Sequence, residues 1–245
     1  MLLATDLDGT FLGGSEEHRE QLYKLIKNDP SIKLAFVTGR GLETVMPLLK
    51  DEHIPTPDYI IADVGSTIVY GQTLKAIEPL QIHIKEKWPG AALVHEKMKA
   101  LPQLKYQLVP QQRRSSYFLS DETLLQQAHE IAAEIGCDVL YSAGKFLDIL
   151  PKGVNKGSTL TMLVEEFSIN KEQILVAGDT LNDLAMYKCG YKAVVVGNAE
   201  EKLTLATRHL TNVYHAEAAG AGGILEAITH FNLLENKMEL EVADC

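Results

Sequence analysis

Short apolar runs alternate along the chain with stretches whose apolar residues recur every third or fourth position. Leu2–Thr5 is such a run, and Lys33–Thr38, Tyr59–Ala62, residues 174–178 and residues 192–197 repeat it at strand length. Glu16–Asn28 reads as a helix, with Ser15 as N-cap and Leu22, Leu25 and Ile26 on one face. Residues 39–52 read as a second helix, which Pro47 kinks or shortens. Lys156–Phe167, residues 180–190 ending at Gly190, and Gly223–Phe231 read as three more. Strands separated by amphipathic helices predict a parallel sheet with crossover helices. Residues 63–71, following Tyr59–Ala62, predict a turn into a hairpin.

The pattern changes between residues 79 and 151. Residues 113–119, 138–142 and 146–150 read as strands, the last two joined by Ala143-Gly144-Lys145. A helix over Glu122–Ile135, capped by Ser120 or Asp121, carries a one-sided stripe of Leu124, Leu125, Ala128, Ile131, Ala132 and Ile135. Hairpins with a helix make an α+β unit. The expected architecture is α/β, a Rossmann-like parallel-sheet core (1–78 and 152–245) with an inserted smaller α+β cap domain (79–151). The acidic residues 235–245 are expected to fray.

Composition narrows the function. With 46% hydrophobic and 23% charged residues the chain is ordinary for a soluble globular protein. A formal net charge of -10 argues against a nucleic-acid partner. Phosphate chemistry would therefore need a local positive device such as a metal ion. Cys137, Cys189 and Cys245 lie outside any metal-ligand spacing and read as free thiols in a reducing compartment. No apolar stretch reaches the roughly 18 residues of a membrane span. A cytoplasmic monomer without membrane or nucleic-acid partners is expected.

Two acidic clusters carry the chemistry. Asp6 and Asp8 follow the first apolar run, and Asp179 and Asp183 follow the run ending at Gly178. In open α/β sheets, ligands bind at the carboxyl ends of strands. If the two strands are neighbours, these carboxylates converge and repel unless a divalent cation sits among them. Oxygen-only donors select a hard ion, and Mg²⁺ is usual with phosphate substrates. Either cluster alone could be no more than turn residues and helix caps. Thr38 ends the second strand, where an anion could be held, and Lys156 opens a helix, where a cation is disfavoured unless it faces an anion.

This ordered set resembles the haloacid dehalogenase-like phosphohydrolases. The matching motifs are Asp6-Leu7-Asp8-Gly9-Thr10, Thr38, Lys156 and Gly178-Asp179-Thr180-Leu181-Asn182-Asp183. The cap falls between the second and third motifs, as in the sugar-phosphatase branch. Residues 143–157 and 220–231 look most like sucrose-phosphate phosphatases. The resemblance implies Asp6 as nucleophile and Asp8 as general acid and base, with Thr38 and Lys156 neutralising charge. It also implies Mg²⁺ on Asp6, the Asp8 main-chain carbonyl and Asp179, with Asp183 in direct or indirect support and Asn182 orienting its neighbours. The substrate is expected to be a small-molecule sugar phosphate, foremost sucrose 6-phosphate. Mannosylglycerate-, mannosylfructose- and glucosylglycerol-phosphate types are the alternatives. A phosphomutase, a phospho-accepting receiver domain and an inactive binding protein are the remaining rivals. Gly39, Arg40, Gly65 and Ser66 join Thr38, Lys156 and Asn182 as expected substrate contacts. Arg113, Arg114, Ser116, Tyr117, Lys145 and Asp148 are candidates for reading the sugar from the cap, with Lys145 foremost.

Overall fold

The structure is a computed structural model that describes residues 1–234. The expectation for residues 235–245, and Cys245 with it, lies outside the described residues. From the N-terminus the elements are β1 (Leu2–Thr5), α1 (Glu16–Asn28), β2 (Lys33–Val37), α2 (Leu42–Val45), β3 (Tyr59–Ala62) and β4 (Thr67–Tyr70). Next come α3 (Leu80–Glu86), α4 (Ala91–Met98), β5 (Lys105–Tyr106), β6 (Ser115–Phe118), α5 (Leu125–Glu134), β7 (Cys137–Ser142) and β8 (Phe146–Pro151). The chain continues through α6 (Lys156–Glu166), β9 (Ile174–Gly178), α7 (Leu184–Tyr187), β10 (Lys192–Val195), α8 (Glu201–Thr207), β11 (Val213–His215) and α9 (Ala221–His230).

A seven-stranded sheet runs β11-β10-β9-β1-β2-β3-β4, parallel except for the β3–β4 hairpin. Strands buried on both faces must be apolar throughout. In β1, Leu3 faces one core layer with α1 and α9, while Leu2 and Ala4 face the other with α6. From β1 the chain steps outward to β2 and β3 on one side, and β9 to β11 extend the other side. The carboxyl end of β1 is thus the topological switch point, where such sheets hold ligands.

A separate four-stranded antiparallel sheet, β5-β6-β8-β7, forms the cap. Of the predicted stripe, Ala128 and Ala132 are buried in its core with Val94, Met98, Tyr117 and Leu147, and Leu124, Leu125, Ile131 and Ile135 pack half-buried against it. Asp121 is the cap residue, accepting from Thr123 N–H. α3 lies before this unit: its Leu80 and Ile84 pack into the main core, and its Gln81 bonds the backbone of Ser66 and Ile68. α3 thus packs with the seven-stranded sheet rather than with the four-stranded one.

Two predicted helices are shorter than expected. The 39–52 helix becomes α2 and a separate turn over Leu48–Lys50, because Pro47 lacks the N–H that would continue α2. The 180–190 helix reduces to a turn at Leu181–Asp183 and then α7. There the Asp183 side chain accepts from the N–H groups of Asp179 and Thr180, holding the turn to the strand end. Among the described residues, Cys137 and Cys189 are free thiols, and no helix is long and apolar enough to cross a membrane.

Candidate active site

Register brings the two acidic clusters together. β1 pairs with β9 with Thr5 opposite Ala177, and Asp6 N–H donates to Ala177 O at 2.9 Å. Asp179 therefore leaves the sheet beside Asp6, although the two are far apart in sequence. After Asp6 the chain winds into a wide turn over residues 7–11, with Phe11 N–H donating to Asp6 O at 3.1 Å. Gly9 makes this turn at a φ of 77°. A Cβ there would lie 2.2 Å from Asp179 Oδ2, so only glycine lets the turn and the carboxylate coexist. Gly9→Ala is expected to shift Asp179 and weaken divalent-cation binding at the site by about tenfold; thermal unfolding across a cation titration checks it.

Lys156 is the first residue of α6, whose N-cap Asn155 forms a reciprocal capping box with Ser158. Its side chain is fully buried. A buried ammonium is tolerated only when paired. Nζ donates to Asp6 Oδ1 at 2.6 Å, Asp183 Oδ1 at 2.6 Å and Asn182 Oδ1 at 2.8 Å. Burial alone would lower the ammonium pKa, but Asp183 and Asp6 outweigh it and the net shift is upward.

One oxygen from each of Asp6, Asp179 and Asp183 lies within 4.8 Å of the others. Burial lifts Asp6 to about 7, opposed by Lys156 and reinforced by Asp183 and Asp179. Burial likewise lifts Asp179 to about 6, with Asp183 adding to it. Three buried acids facing one ammonium leave negative charge uncompensated, and the donors are all hard oxygens. The set fits a hard divalent cation. Thr10 Oγ1 fixes Asp179 by donating to its Oδ1 at 2.9 Å.

A cavity of about 350 Å³ opens above this cluster, between core and cap. Asp6, Asp8, Thr38, Gly39, Arg40 and Asn182 line it from the core. Gln107, Arg114, Ser116, Ser142, Phe146 and Asp148 line it from the cap. Thr38 Oγ1 accepts from Arg40 N–H at 3.1 Å. The Arg40 guanidinium grips the Asp8 carboxylate with two bonds, 2.7 Å from Nε and 2.5 Å from Nη2. Ser116 Oγ donates to Asp148 Oδ1. Arg114, itself buried, donates to Gly39 O at 2.7 Å.

The pleat sorts the cap candidates. β6 and β8 pair with Ser116 opposite Asp148 and Tyr117 opposite Leu147. Side chains alternate across a strand, so Ser116 and Asp148 face the cavity while Tyr117 and Leu147 enter the cap core. Tyr117 is therefore a packing residue. Lys145 is exposed in the β7–β8 turn, its ammonium 4.9 Å from the centre of the Phe146 ring and outside the cavity lining. Arg113 bonds its neighbour Gln112 and is also outside the lining. Gly65 and Ser66 stand behind the site: Gly65 O accepts from Thr159 of α6, and Ser66 Oγ donates to Asp63 O. Sequence reasoning missed Gln107, Ser142 and Phe146 on the lining. It also missed Asn198, whose amide donates to Gly9 O at 2.9 Å and braces the turn after Asp6. Asn198 stands next to Gly197 with no motif to mark it.

The sequence profile of the sucrose-6F-phosphate phosphohydrolase family matches residues 1–232. The chain belongs to this family. Its members are phosphoric monoester hydrolases of the haloacid dehalogenase type. A glucosylglycerol-phosphate synthase from Pseudomonas anguilliseptica is 51% identical over 235 residues, 96% of this chain and 31% of its own length. The chain thus spans about a third of that relative. A mannosylfructose-phosphate phosphatase from Agrobacterium fabrum is 31% identical, over 95% of this chain and 97% of its own. Among solved structures, the sucrose-phosphatase of Synechocystis sp. PCC6803, in complex with sucrose and phosphate, superposes with a TM-score of 0.86. It is 29% identical and the match covers 96% of this chain and 98% of that one.

Proposed function

We propose that this chain releases phosphate from a glycosyl phosphate, with glucosylglycerol phosphate as its substrate and Mg²⁺ as its metal. The observation that carries the substrate is the 51% identity to a protein named glucosylglycerol-phosphate synthase. Identity to the mannosylfructose-phosphate phosphatase is 31%, and to a tobacco sucrose-phosphatase 28%. A phosphohydrolase segment inside a synthase has an evident substrate in the phosphate that the synthase is named for. Sucrose 6-phosphate, foremost on sequence, becomes the second reading, supported by the family's name and the Synechocystis structure.

Phosphoryl transfer passes through a loose transition state, so catalysis is mostly positioning and charge neutralisation. Asp6 attacks phosphorus, forming an aspartyl phosphate as the bond to the leaving oxygen breaks. Asp8 gives that oxygen a proton and then takes one from the water that cleaves the aspartyl phosphate. To do so it must exchange its two bonds to Arg40 for the leaving oxygen. Thr38 accepts from Arg40 N–H, which leaves its own hydroxyl proton for a phosphoryl oxygen. Lys156, already on Asp6, brings positive charge to the phosphoryl group. Mg²⁺ on Asp6, Asp179 and the Asp8 carbonyl supplies further charge neutralisation when bound. Asp183 has both oxygens engaged, by Lys156 and by the N–H groups of Asp179 and Thr180, which suits an orienting role.

The test is phosphate release from a panel holding glucosylglycerol phosphate, mannosylfructose phosphate, sucrose 6-phosphate and p-nitrophenyl phosphate. The expected kcat/KM is at least about tenfold higher on glucosylglycerol phosphate than on the other glycosyl phosphates, and excess chelator should abolish it until Mg²⁺ is restored. A preference for sucrose 6-phosphate would reinstate the second reading. Activity persisting in excess chelator would remove the metal.

A further inference from the structure

Asp63 lies in the core, at the end of β3, and has no part in phosphoryl transfer. It is almost fully buried. Asp63 and Val64 adopt φ values of 51° and 58°, consecutive left-handed residues in a turn that closes at Gly65. A β-branched residue there is uncommon and costs energy, so the surroundings must impose it. The turn is clamped: Asp63 N–H donates to Arg40 O at 2.8 Å and Val64 N–H to Thr38 O at 3.1 Å. Thr67 Oγ1 donates to Asp63 Oδ2 at 3.0 Å. This leaves Asp63 Oδ1 with no hydrogen bond, turned toward the cap.

What it meets there is Arg114 of the cap, with Nη2 at 3.4 Å from Oδ1. The Arg114 Nη1 that bonds Gly39 O also lies 3.8 Å from Asp148 Oδ1. One buried guanidinium therefore spans a core carboxylate, the backbone beside Thr38, and the cap carboxylate on the cavity wall. Its Nε is buried and has no partner. Burying an arginine with an unused donor is costly unless something else accepts from it.

We propose that Asp63 is a positioning residue for substrate recognition: it anchors Arg114 across the cap–core boundary, so that Arg114 and Asp148 meet the hydroxyl-bearing part of the substrate. The charge pair locates a planar group with fixed donor directions, which suits arginine. Arg114 is the reader and Asp63 acts through it. The inference rests on the reading that the cavity takes a glycosyl phosphate.

A double-mutant cycle tests it. Asp63→Asn keeps shape and the Thr67 bond but removes the charge; Arg114→Gln removes the reader. On the glycosyl phosphate that wild type hydrolyses best, each single change is expected to raise KM about tenfold with kcat changed far less. The double variant should match Arg114→Gln rather than show the roughly hundredfold product of independent sites. The loss in kcat/KM for each variant should exceed its loss on p-nitrophenyl phosphate by at least about fivefold, since that ester offers no sugar hydroxyls. Multiplying effects, equal losses on both esters, or no loss from Asp63→Asn would each overturn the inference. Preference for a glycosyl phosphate other than glucosylglycerol phosphate leaves this cycle intact, and hydrolysis of none of them overturns it.

Discussion

Asp6→Asn is expected to lower phosphate release by about 10⁴-fold or more while leaving the metal-free protein no less stable. An amide cannot form the aspartyl phosphate, which accounts for the loss of turnover. The stability half follows from burial. Asp6 titrates at about 7 in the folded protein against an ordinary value of 3.8, raised chiefly by burial. A carboxyl whose folded pKa is raised binds its proton more tightly folded than unfolded. Its contribution is fully present below the unfolded value and is lost as pH rises through the folded one. Without divalent cation, wild type should therefore lose stability between pH 3.8 and about 7, by an amount on the order of a few kcal/mol. Asp179, raised to about 6, adds to the same slope. Asp6→Asn should flatten that slope, and Mg²⁺ should flatten it in wild type. Thermal unfolding from pH 4 to 8, with and without Mg²⁺, reads both. Near-wild-type turnover by Asp6→Asn would end its assignment as nucleophile, and an unchanged slope would end the burial argument.

Much of the core was legible because its signals are local. Ser15 caps α1 as expected, accepting from His18 N–H, and β1, β3 and β9 begin and end where their apolar runs do. The convergence of Asp6 with Asp179 needed one further inference, that their strands are neighbours, and β1–β9 pairing supplies it. What stayed hidden depends on tertiary contact. α3 carries only Leu80 and Ile84 as buried apolar residues beside the polar His83, Lys85 and Glu86, too few to show a period. β11 is three residues long, and its residues are only half-buried. In the cap, the strands could be read but their facing could not. Lys145, foremost on sequence, stands in the β7–β8 turn outside the cavity lining, whereas Phe146, the first residue of β8, is on it. The Asp63–Arg114 pair left no trace in sequence because it exists only where cap meets core.

The largest structural effect is expected from Lys156→Met. Methionine fills the stem's volume without the ammonium, leaving Asp6 and Asp183 each without a partner at 2.6 Å. Breaking a buried ion pair from one side costs about 3–5 kcal/mol, because the remaining charge keeps its desolvation penalty. Here the cation also offset repulsion among three acids whose oxygens lie within 4.8 Å. The loss should therefore grow as pH rises and those acids ionise. Added Mg²⁺ should recover part of it, since a divalent cation among the same carboxylates supplies the missing charge. Phosphate release should fall by about 10³-fold even with Mg²⁺ saturating, because one charge on the phosphoryl group is gone. Urea unfolding at pH 6 and pH 8, with and without Mg²⁺, measures the first three expectations. A destabilisation below about 1 kcal/mol, or one that Mg²⁺ leaves untouched, would mean that Lys156 and the metal do not share the same acidic cluster.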